Sequence, residues 1–294
     1  MKARLSIVCV VSVVVLSAAI GQGRGIPGSL VFYSARTGNN EIFLMNPDGT
    51  DPVRITTNPS SDVDPDISTN GREIVFSSNR TGNNDIFVTD RDGIAVTNLT
   101  NNPANDGWPR WSPNGHQIAF HSNRDGNFEI YVMNADGSNV TRLTDYPGVD
   151  QYPDWSPDGK EIVFRRDIDI YAIDLTDGSV RRLTQAPVLN QMPAWSPNGK
   201  QLAFMSLREG YCAVFVMNAN GSDQTNLTPK HPGDLDADWC SRAPSWSTNG
   251  RQIYFMSFRP ATQGDAEVFV MNADGTGVQR LTYSVGTDGS PRTR

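Results

Sequence analysis

The feature that most constrains this 294-residue chain is a ten-residue segment that occurs in five related copies. Its typical form is Trp-Ser-Pro-Asp-Gly-Lys-Glu-Ile-Val-Phe, and one copy has lost the Trp. The copies are Ile67–Phe76, Trp111–Phe120, Trp155–Phe164, Trp195–Phe204 and Trp246–Phe255. A repeat of roughly forty residues, built from short strands and glycine turns, is typical of a β-propeller. Residues that recur in every copy are therefore expected to build the scaffold, and a specific site is expected where the copies differ.

Each complete copy of the longer repeat contains four short strand-like segments separated by turn residues. Gln117–Ser122 alternates apolar and polar residues, as a half-buried strand does. Ala135–Gly137 is a turn in which glycine supplies the positive φ. The Leu-Thr or Ile-Thr pairs that end the copies begin at Ile55, Leu99, Leu143, Leu183, Leu227 and Leu281. The pattern predicts an all-β fold, a six-bladed β-propeller of four-stranded antiparallel blades.

The two ends of the repeat are out of step with each other. The first copy begins with its second strand, Ser29–Ser34, and no innermost strand precedes it. The chain ends with Thr287–Arg292, which resembles Asn105–Arg110 at the start of the third copy. We expect the C-terminal segment to supply the innermost strand of the first blade, because this pairing would remove a free sheet edge. An unrelated tail is the alternative.

The repeat motif has a family resemblance. The pattern Pro-x-Trp-Ser-Pro-Asp/Asn-Gly, followed by Ile-Ala-Phe, Glu-Ile-Tyr-Val-Met-Asn, Ala-Asp-Gly and Arg-Leu-Thr, resembles the propeller repeat of the TolB family. The resemblance covers roughly residues 29–292. It implies a six-bladed propeller, export to the periplasm and a binding function, with a peptidoglycan-associated lipoprotein as the implied partner. The family has a separate domain before its propeller. Only a few residues lie between the apolar N-terminal run and Ser29, so we expect the resemblance to concern the propeller only.

The first residues have the pattern of a secretory signal peptide. Lys2 and Arg4 precede the apolar run Leu5–Ile20, and small residues suited to cleavage follow. We expect residues 1–21 to be a signal peptide, 22–28 a short linker and 29–294 the propeller. A retained membrane anchor is the alternative, although the run is shorter than the roughly 20 residues of a spanning helix. The expected location is therefore periplasmic or secreted, with no transmembrane span after cleavage.

Charge and cysteine usage narrow the function classes. Loss of Lys2 and Arg4 would take the formal net charge from −7 to −9, which argues against nucleic acid and anionic membranes as partners. A protein or an envelope polymer is the expected partner, and the propeller is expected to be monomeric. After removal of the leader only Cys212 and Cys240 remain, and an isolated pair in an exported protein predicts a disulfide.

The repeat breaks at several loops that propeller topology brings to one face. The irregular segments are Arg165–Asp169, Leu207–Cys212, Pro229–Arg242 and Arg259–Asp265. Arginine, tyrosine and tryptophan are enriched at binding hot spots. The candidate binding residues on this face are Arg165, Arg166, Arg208, Tyr211, His231 and Trp239. The alternative is that these loops are variable decoration and that the tryptophan packs over the disulfide.

A second candidate site lies where the innermost strands begin. An acidic or polar residue precedes the proline by three positions, which places it near one mouth of the central channel. The predicted channel-mouth residues are Asp62, Asp106, Asp150, Asn190 and Asp288. They could together hold a cation or a basic ligand group. The alternative is local pairing with arginines of the neighbouring loops, such as Arg80 and Arg124.

Metal and catalytic signals are weak in this sequence. Asp62–Asp66 and Asp234–Asp238 space carboxylates at alternate positions, as calcium sites do, but both lack the other residues of a helix-loop-helix calcium loop. His116, His121 and His231 share no ligand spacing, so calcium is a minor possibility and no other cofactor is predicted. No catalytic residue is predicted. The leading interpretation is an exported, non-enzymatic binding module, and the alternative is a secreted polysaccharide lyase or hydrolase with a metal in the channel.

Overall fold

The computed structural model describes residues 29–185, 187–230, 240–258 and 264–293. These residues form six four-stranded antiparallel sheets. In the first three blades the strands are β1 (Leu30–Ser34), β2 (Glu41–Met45), β3 (Val53–Arg54), β4 (Asp62–Ile67), β5 (Glu73–Ser78), β6 (Asp85–Asp90), β7 (Val96–Asn98), β8 (Asp106–Trp111), β9 (Gln117–Ser122), β10 (Glu129–Asn134) and β11 (Thr141–Arg142).

The remaining three blades repeat this order, and the last strand of the chain joins the first blade. The strands are β12 (Asp150–Trp155), β13 (Glu161–Arg166), β14 (Asp169–Asp174), β15 (Val180–Arg182), β16 (Asn190–Trp195), β17 (Gln201–Ser206), β18 (Ala213–Asn218), β19 (Thr225–Asn226), β20 (Cys240–Trp246), β21 (Gln252–Phe258), β22 (Glu267–Asn272), β23 (Gln279–Arg280) and β24 (Asp288–Thr293). Blade 1 has the order β24-β1-β2-β3, and each of blades 2 to 6 uses four consecutive strands. The all-β, six-bladed prediction is confirmed.

The ring is closed by the C-terminal strand, as the sequence predicted. β24 pairs antiparallel with β1, from Leu30 opposite Thr293 to Ser34 opposite Asp288. Arg36 adds an ion pair to the closure, with its Nη2 2.8 Å from the Asp288 carboxylate. Each innermost strand also contacts the innermost strands of the two neighbouring blades, so the six strands surround a central channel.

The hydrophobic core lies between blades. One cluster joins Val75 and Ile86 of blade 2 to Trp111, Ile118 and Phe120 of blade 3, and comparable clusters fill the other interfaces. This arrangement follows from the strand alternation, because each twisted sheet is covered on both sides by its neighbours. The recurring phenylalanine is buried in all six of these clusters and the recurring tryptophan in four of them, and truncating such a phenylalanine to alanine would cost about 3–5 kcal/mol.

The propeller has two different ends. The loop face carries the connections between second and third strands, such as 79–84, and those that lead into each new blade, such as 101–105. The hairpin face carries the tight Asn-Gly or Asp-Gly turns after each innermost strand, such as 113–116. In these turns glycine adopts a positive φ, 73° at Gly115, which costs other residues more. The described part of the chain contains no helix with the length and apolar character of a membrane span.

Candidate functional site

Each innermost strand has a bulge that turns one side chain towards the channel. The register with the second strand shifts in every blade, and the residue before the conserved proline has a φ between 47° and 58°. These residues are Asp64, Trp108, Tyr152, Met192, Ala243 and Ser290. Residues other than glycine rarely adopt this left-handed conformation, and a bulge is a common way to re-aim a side chain next to a functional site.

Four of these bulge residues meet on the channel axis. Trp108, Tyr152, Met192 and Ala243 come from blades 3 to 6 and pack against one another as one buried cluster. The rings of Trp108 and Tyr152 meet edge to face with centroids 4.8 Å apart. These side chains come from four consecutive blades, so the cluster lines the channel along the side formed by blades 3 to 6.

On one side of the loop-face mouth, three polar side chains gather around Tyr152. The ring of His121 lies edge-on to Tyr152 at 5.8 Å, and the guanidinium of Arg165 lies over the same ring at 5.4 Å. Arg165 Nη1 donates to Gln191 Oε1 at 3.0 Å. Its Nε is buried and has no hydrogen-bond partner among the described residues.

The opposite wall of the same mouth carries an acidic group and a second arginine. Ser290 Oγ donates to Asp64 Oδ1 at 3.0 Å. The Arg242 Nε lies 3.5 Å from the sulfur of Met256, and the Tyr33 hydroxyl lies 3.9 Å from that sulfur. The mouth therefore presents two arginines, two tyrosines and one carboxylate around a buried aromatic floor.

Burial controls the protonation of these groups. Burial and the nearby Arg165 and Arg110 guanidiniums lower the pKa of His121 to about 3, so the imidazole is neutral at pH 7. Burial and the Asp64 carboxylate raise the pKa of Tyr33 to about 12, so the phenol keeps its proton. Burial also raises the pKa of Asp64. The permanent positive charges of the mouth are thus carried by arginines, which suits an acidic or carbonyl-rich partner segment.

The predicted channel-mouth carboxylates are engaged in local ion pairs. Each lies at the start of an innermost strand and is fully buried. The pairs are Arg36 with Asp288, Arg80 with Asp62, Arg124 with Asp106 and Arg166 with Asp150, and in blade 5 the Nη2 of Arg208 donates instead to Asn190. The structure thus shows the local pairing that the sequence left open as the alternative to a cation-binding ring.

Two of the predicted binding residues, Arg166 and Arg208, take part in this local pairing. Arg166 and Arg208 occupy the same arginine position as Arg80, and the guanidinium of Arg208 stacks over Phe204 and Phe215 at 5.5 and 4.5 Å. Both belong to a polar cluster that is repeated within the blades, whereas their neighbour Arg165 points to the channel mouth. Of the three predicted arginines, only Arg165 meets the variable channel residues.

The other predicted residues of the loop face lie between blades 5 and 6. The Tyr211 hydroxyl accepts a hydrogen bond from the backbone N–H of Lys230 at 2.9 Å, and the Lys230 Nζ lies 5.0 Å from the ring centre. Cys212 and Cys240 are joined in a disulfide that links these blades, with their Cα atoms 4.4 Å apart. His231 and Trp239 lie outside the described residues.

The alternating carboxylates of β4 do not converge on one point. Asp62 pairs with Arg80, Asp64 accepts from Ser290, and Asp66 Oδ2 accepts the backbone N–H of Trp111 at 2.8 Å. The second acidic run, Asp234–Asp238, lies outside the described residues. His116 sits on an exposed hairpin, far from His121 along the sheet. No group of three or more potential metal-binding side chains occurs within the part of the chain that the structure describes.

The residues that face the channel have a signal in the sequence. Between the acidic or polar residue and the proline, no two copies have the same pair of residues, although Gly and Gln each occur twice at the first position. The six dipeptides are Val63-Asp64, Gly107-Trp108, Gln151-Tyr152, Gln191-Met192, Arg242-Ala243 and Gly289-Ser290. Variable positions inside a regular repeat are where a specific site was expected, and the bulge turns these positions to the channel.

Family comparisons find propellers over parts of the sequence. The Tricorn protease N-terminal beta propeller domain matches residues 81–168, and the Dipeptidyl peptidase IV (DPP IV) N-terminal region matches residues 125–236. The Tol-Pal system protein TolB of Geobacter sulfurreducens is 38% identical over 60 residues, which are 20% of this chain and 14% of that protein. The matched segment therefore spans a small part of the curated relative.

Solved TolB structures resemble nearly the whole propeller. TolB from Acinetobacter baumannii has a TM-score of 0.78 at 24% identity, over 90% of this chain and 66% of that one. A protein assigned as TolB from Agrobacterium tumefaciens has a TM-score of 0.69 at 22% identity, over 87% of this chain and 88% of that one. Fold, repeat motif and local identity agree, and the protein is a TolB-like six-bladed β-propeller.

Proposed function

We propose that this protein is an exported, non-enzymatic binding module that engages an envelope protein through the loop-face mouth of its channel. The observation that carries the proposal is the convergence of Tyr33, Tyr152, Arg165 and Arg242 with the positions at which the copies of the repeat differ. Tyrosine and arginine in a partly enclosed site are the residue types that dominate protein-binding energy.

The charge of the mouth favours an acidic or carbonyl-rich segment of the partner. Arg165 has an Nε donor without a partner among the described residues, and a bidentate contact with a carboxylate would engage it. The similarity to a Tol-Pal system protein favours a peptidoglycan-associated lipoprotein as the partner and a periplasmic location. The predicted residues Tyr211, His231 and Trp239 would extend the contact surface across the junction of blades 5 and 6.

Affinity capture from an envelope extract tests the proposal. The wild-type protein is expected to retain the peptidoglycan-associated lipoprotein, and the double variant Arg165→Ala/Arg242→Ala is expected to lose it. The matched control is Arg72→Ala/Arg251→Ala, which removes the same charge from exposed positions on the hairpin face and should retain the partner. Equal capture by the two double variants would show that the loop-face mouth does not bind this partner.

A further inference from the structure

The opposite end of the channel holds a second cavity. It has a volume of about 260 Å³ and opens at the hairpin face. Its wall includes Asp66, Asp154, Trp195, Ser245 and Arg292. Its lining residues lie at the hairpin end of the channel, whereas the proposed protein-binding site lies at the loop-face mouth.

One wall of this cavity carries hydrogen-bond donors that the fold leaves unused. Trp195 Nε1 and Ser245 Oγ are buried and have no hydrogen-bond partner among the described residues. The equivalent indoles of Trp155 and Trp246 do have partners, since their Nε1 atoms donate to backbone carbonyls of the preceding blade at 3.1 and 3.2 Å. Leaving a buried donor unpaired is costly, and Trp155 and Trp246 show that a tryptophan at this position of the repeat can pair its N–H.

The cavity wall combines positive and negative groups. Arg292 Nη1 lies 3.4 Å from Asp154 Oδ1, although they come from blades 1 and 4, which are opposite each other in the ring. Asp66 and Asp154 each accept a backbone N–H from the next blade, at 2.8 Å in both cases. A carboxylate can accept several hydrogen bonds at once, so a ligand amine would add to the partners that both groups already have. Donors thus lie on blades 5, 6 and 1, and carboxylates on blades 2 and 4.

Below this layer lies another buried guanidinium. Arg110 is fully buried, and its Nε and Nη2 have no hydrogen-bond partner in the described ranges. Its Nη1 donates to the Pro109 carbonyl at 2.6 Å. Burial lowers its pKa to about 9, so it still carries its proton at pH 7. The two arginines balance the charge of the two aspartates, which makes the site dipolar rather than acidic or basic.

From this arrangement we propose that the hairpin-face cavity binds a small zwitterion of the amino-acid or dipeptide type. The ligand carboxylate accepts from Trp195 Nε1, Ser245 Oγ and Arg292, and its ammonium group donates to Asp66 and Asp154. The prolines of three hairpins, Pro113, Pro157 and Pro197, line the opening and contact an apolar side chain of the ligand. A volume of about 260 Å³ admits a molecule of this size.

Isothermal titration calorimetry of the purified protein with glycyl-leucine tests the proposal. Saturable binding is expected, and affinity should fall about ten-fold or more when the amine is acetylated and again when the carboxylate is amidated, because each change removes one charged partner. No binding of glycyl-leucine at millimolar concentration would overturn the proposal. Equal affinity for the blocked and free dipeptides would do the same.

Two variants separate a ligand site from an ordinary structural cavity. Trp195→Phe keeps the ring but removes the unpaired N–H, so it should weaken glycyl-leucine binding about five-fold or more without lowering the melting temperature. The control Trp155→Phe removes an N–H that already donates to the Arg110 carbonyl, so it should lower the melting temperature and leave affinity within two-fold. If both variants change only the melting temperature, the donors are structural and the proposal is wrong.

Discussion

The polar cluster at the start of each third strand shows how single residues hold a blade together. In blade 3, Thr144 Oγ1 donates to Glu129 Oε2 at 2.6 Å and accepts the backbone N–H of Ile130 at 2.9 Å. In blade 5 the residue equivalent to Glu129 is Ala213, so the Thr228 hydroxyl has no carboxylate at that position. It accepts the backbone N–H of Val214 at 2.9 Å. The two blades therefore differ by one charge-assisted hydrogen bond.

This difference gives a prediction with an internal control. Thr228→Val should lower the free energy of unfolding by about 1 kcal/mol, because one buried N–H loses its acceptor. Thr144→Val should cost about 2 kcal/mol more, since it also removes a donor from the buried Glu129 carboxylate. Urea unfolding of both variants measures the difference. Equal losses would mean that the threonine contributes nothing to holding the carboxylate.

The neutral histidine of the channel predicts a dependence of stability on pH. The folded pKa of His121 is about 3, below the value of about 6.5 in an unfolded chain. The unfolded state therefore binds the extra proton first, so this stabilisation is complete above pH 6.5 and is lost as the pH falls from 6.5 towards 3. When the pH falls from 7 to 5, the free energy of unfolding should decrease by about 2 kcal/mol.

Removing the titrating group should remove that loss. His121→Met introduces the residue found at the same strand position in blades 5 and 6, Met205 and Met256. Between pH 7 and pH 5 the free energy of unfolding of the wild type should fall by about 2 kcal/mol more than that of His121→Met. The control His116→Gln alters an exposed hairpin and should keep the wild-type slope. An unchanged slope in His121→Met would contradict the assigned protonation.

At the level of elements, the closure of the ring depends on β24. It supplies the innermost strand of blade 1 and the bulge residue Ser290, which bonds to Asp64 of blade 2. The backbone N–H of Ala35 also donates to the Thr287 carbonyl at 2.9 Å. Without this strand, β1 and two innermost strands lose their neighbours, and an unpaired edge is open to other chains.

Truncation before Thr287 tests this closure. We expect the melting temperature to fall by on the order of 10 °C, and the truncated protein to self-associate through the free edge of β1. A synthetic peptide of residues 287–294 should restore part of the lost stability, since it can pair with that edge. A truncated protein that stays monomeric with an unchanged melting temperature would show that β24 does not hold the ring closed.

Elements were more predictable from the sequence than side-chain roles. The strand pattern, the turns and the C-terminal closure follow from local periodicity that recurs in each copy. The bulge before each proline does not follow from this periodicity. The backbone preferences of Trp108 and Tyr152 oppose a left-handed conformation, which the packing of the ring imposes. Arg165 and Arg166 are adjacent in sequence, yet strand alternation sends one to the channel and the other to the Asp150 pair.

At the scale of the whole molecule, the propeller separates scaffold from variable positions. Residues conserved between copies form the blade interfaces and the repeated ion pairs, and positions that differ turn to the channel. One end of the channel is a loop-face mouth with arginine and tyrosine, and the other end is a hairpin-face cavity that carries both positive and negative groups. Two ends of different chemistry on one rigid ring suit a protein that holds a partner at one end and a small molecule at the other.

The most direct test of the central claim is the dissociation constant of the purified protein for the peptidoglycan-associated lipoprotein. Arg165→Ala should weaken binding about ten-fold or more, because it removes a channel-mouth arginine that retains an unpaired donor. Arg208→Ala should leave the constant within two-fold, because that arginine is bonded to Asn190 within the scaffold of its blade. If Arg208→Ala weakened binding of the lipoprotein and Arg165→Ala did not, the assignment of function to the variable channel positions would be contradicted.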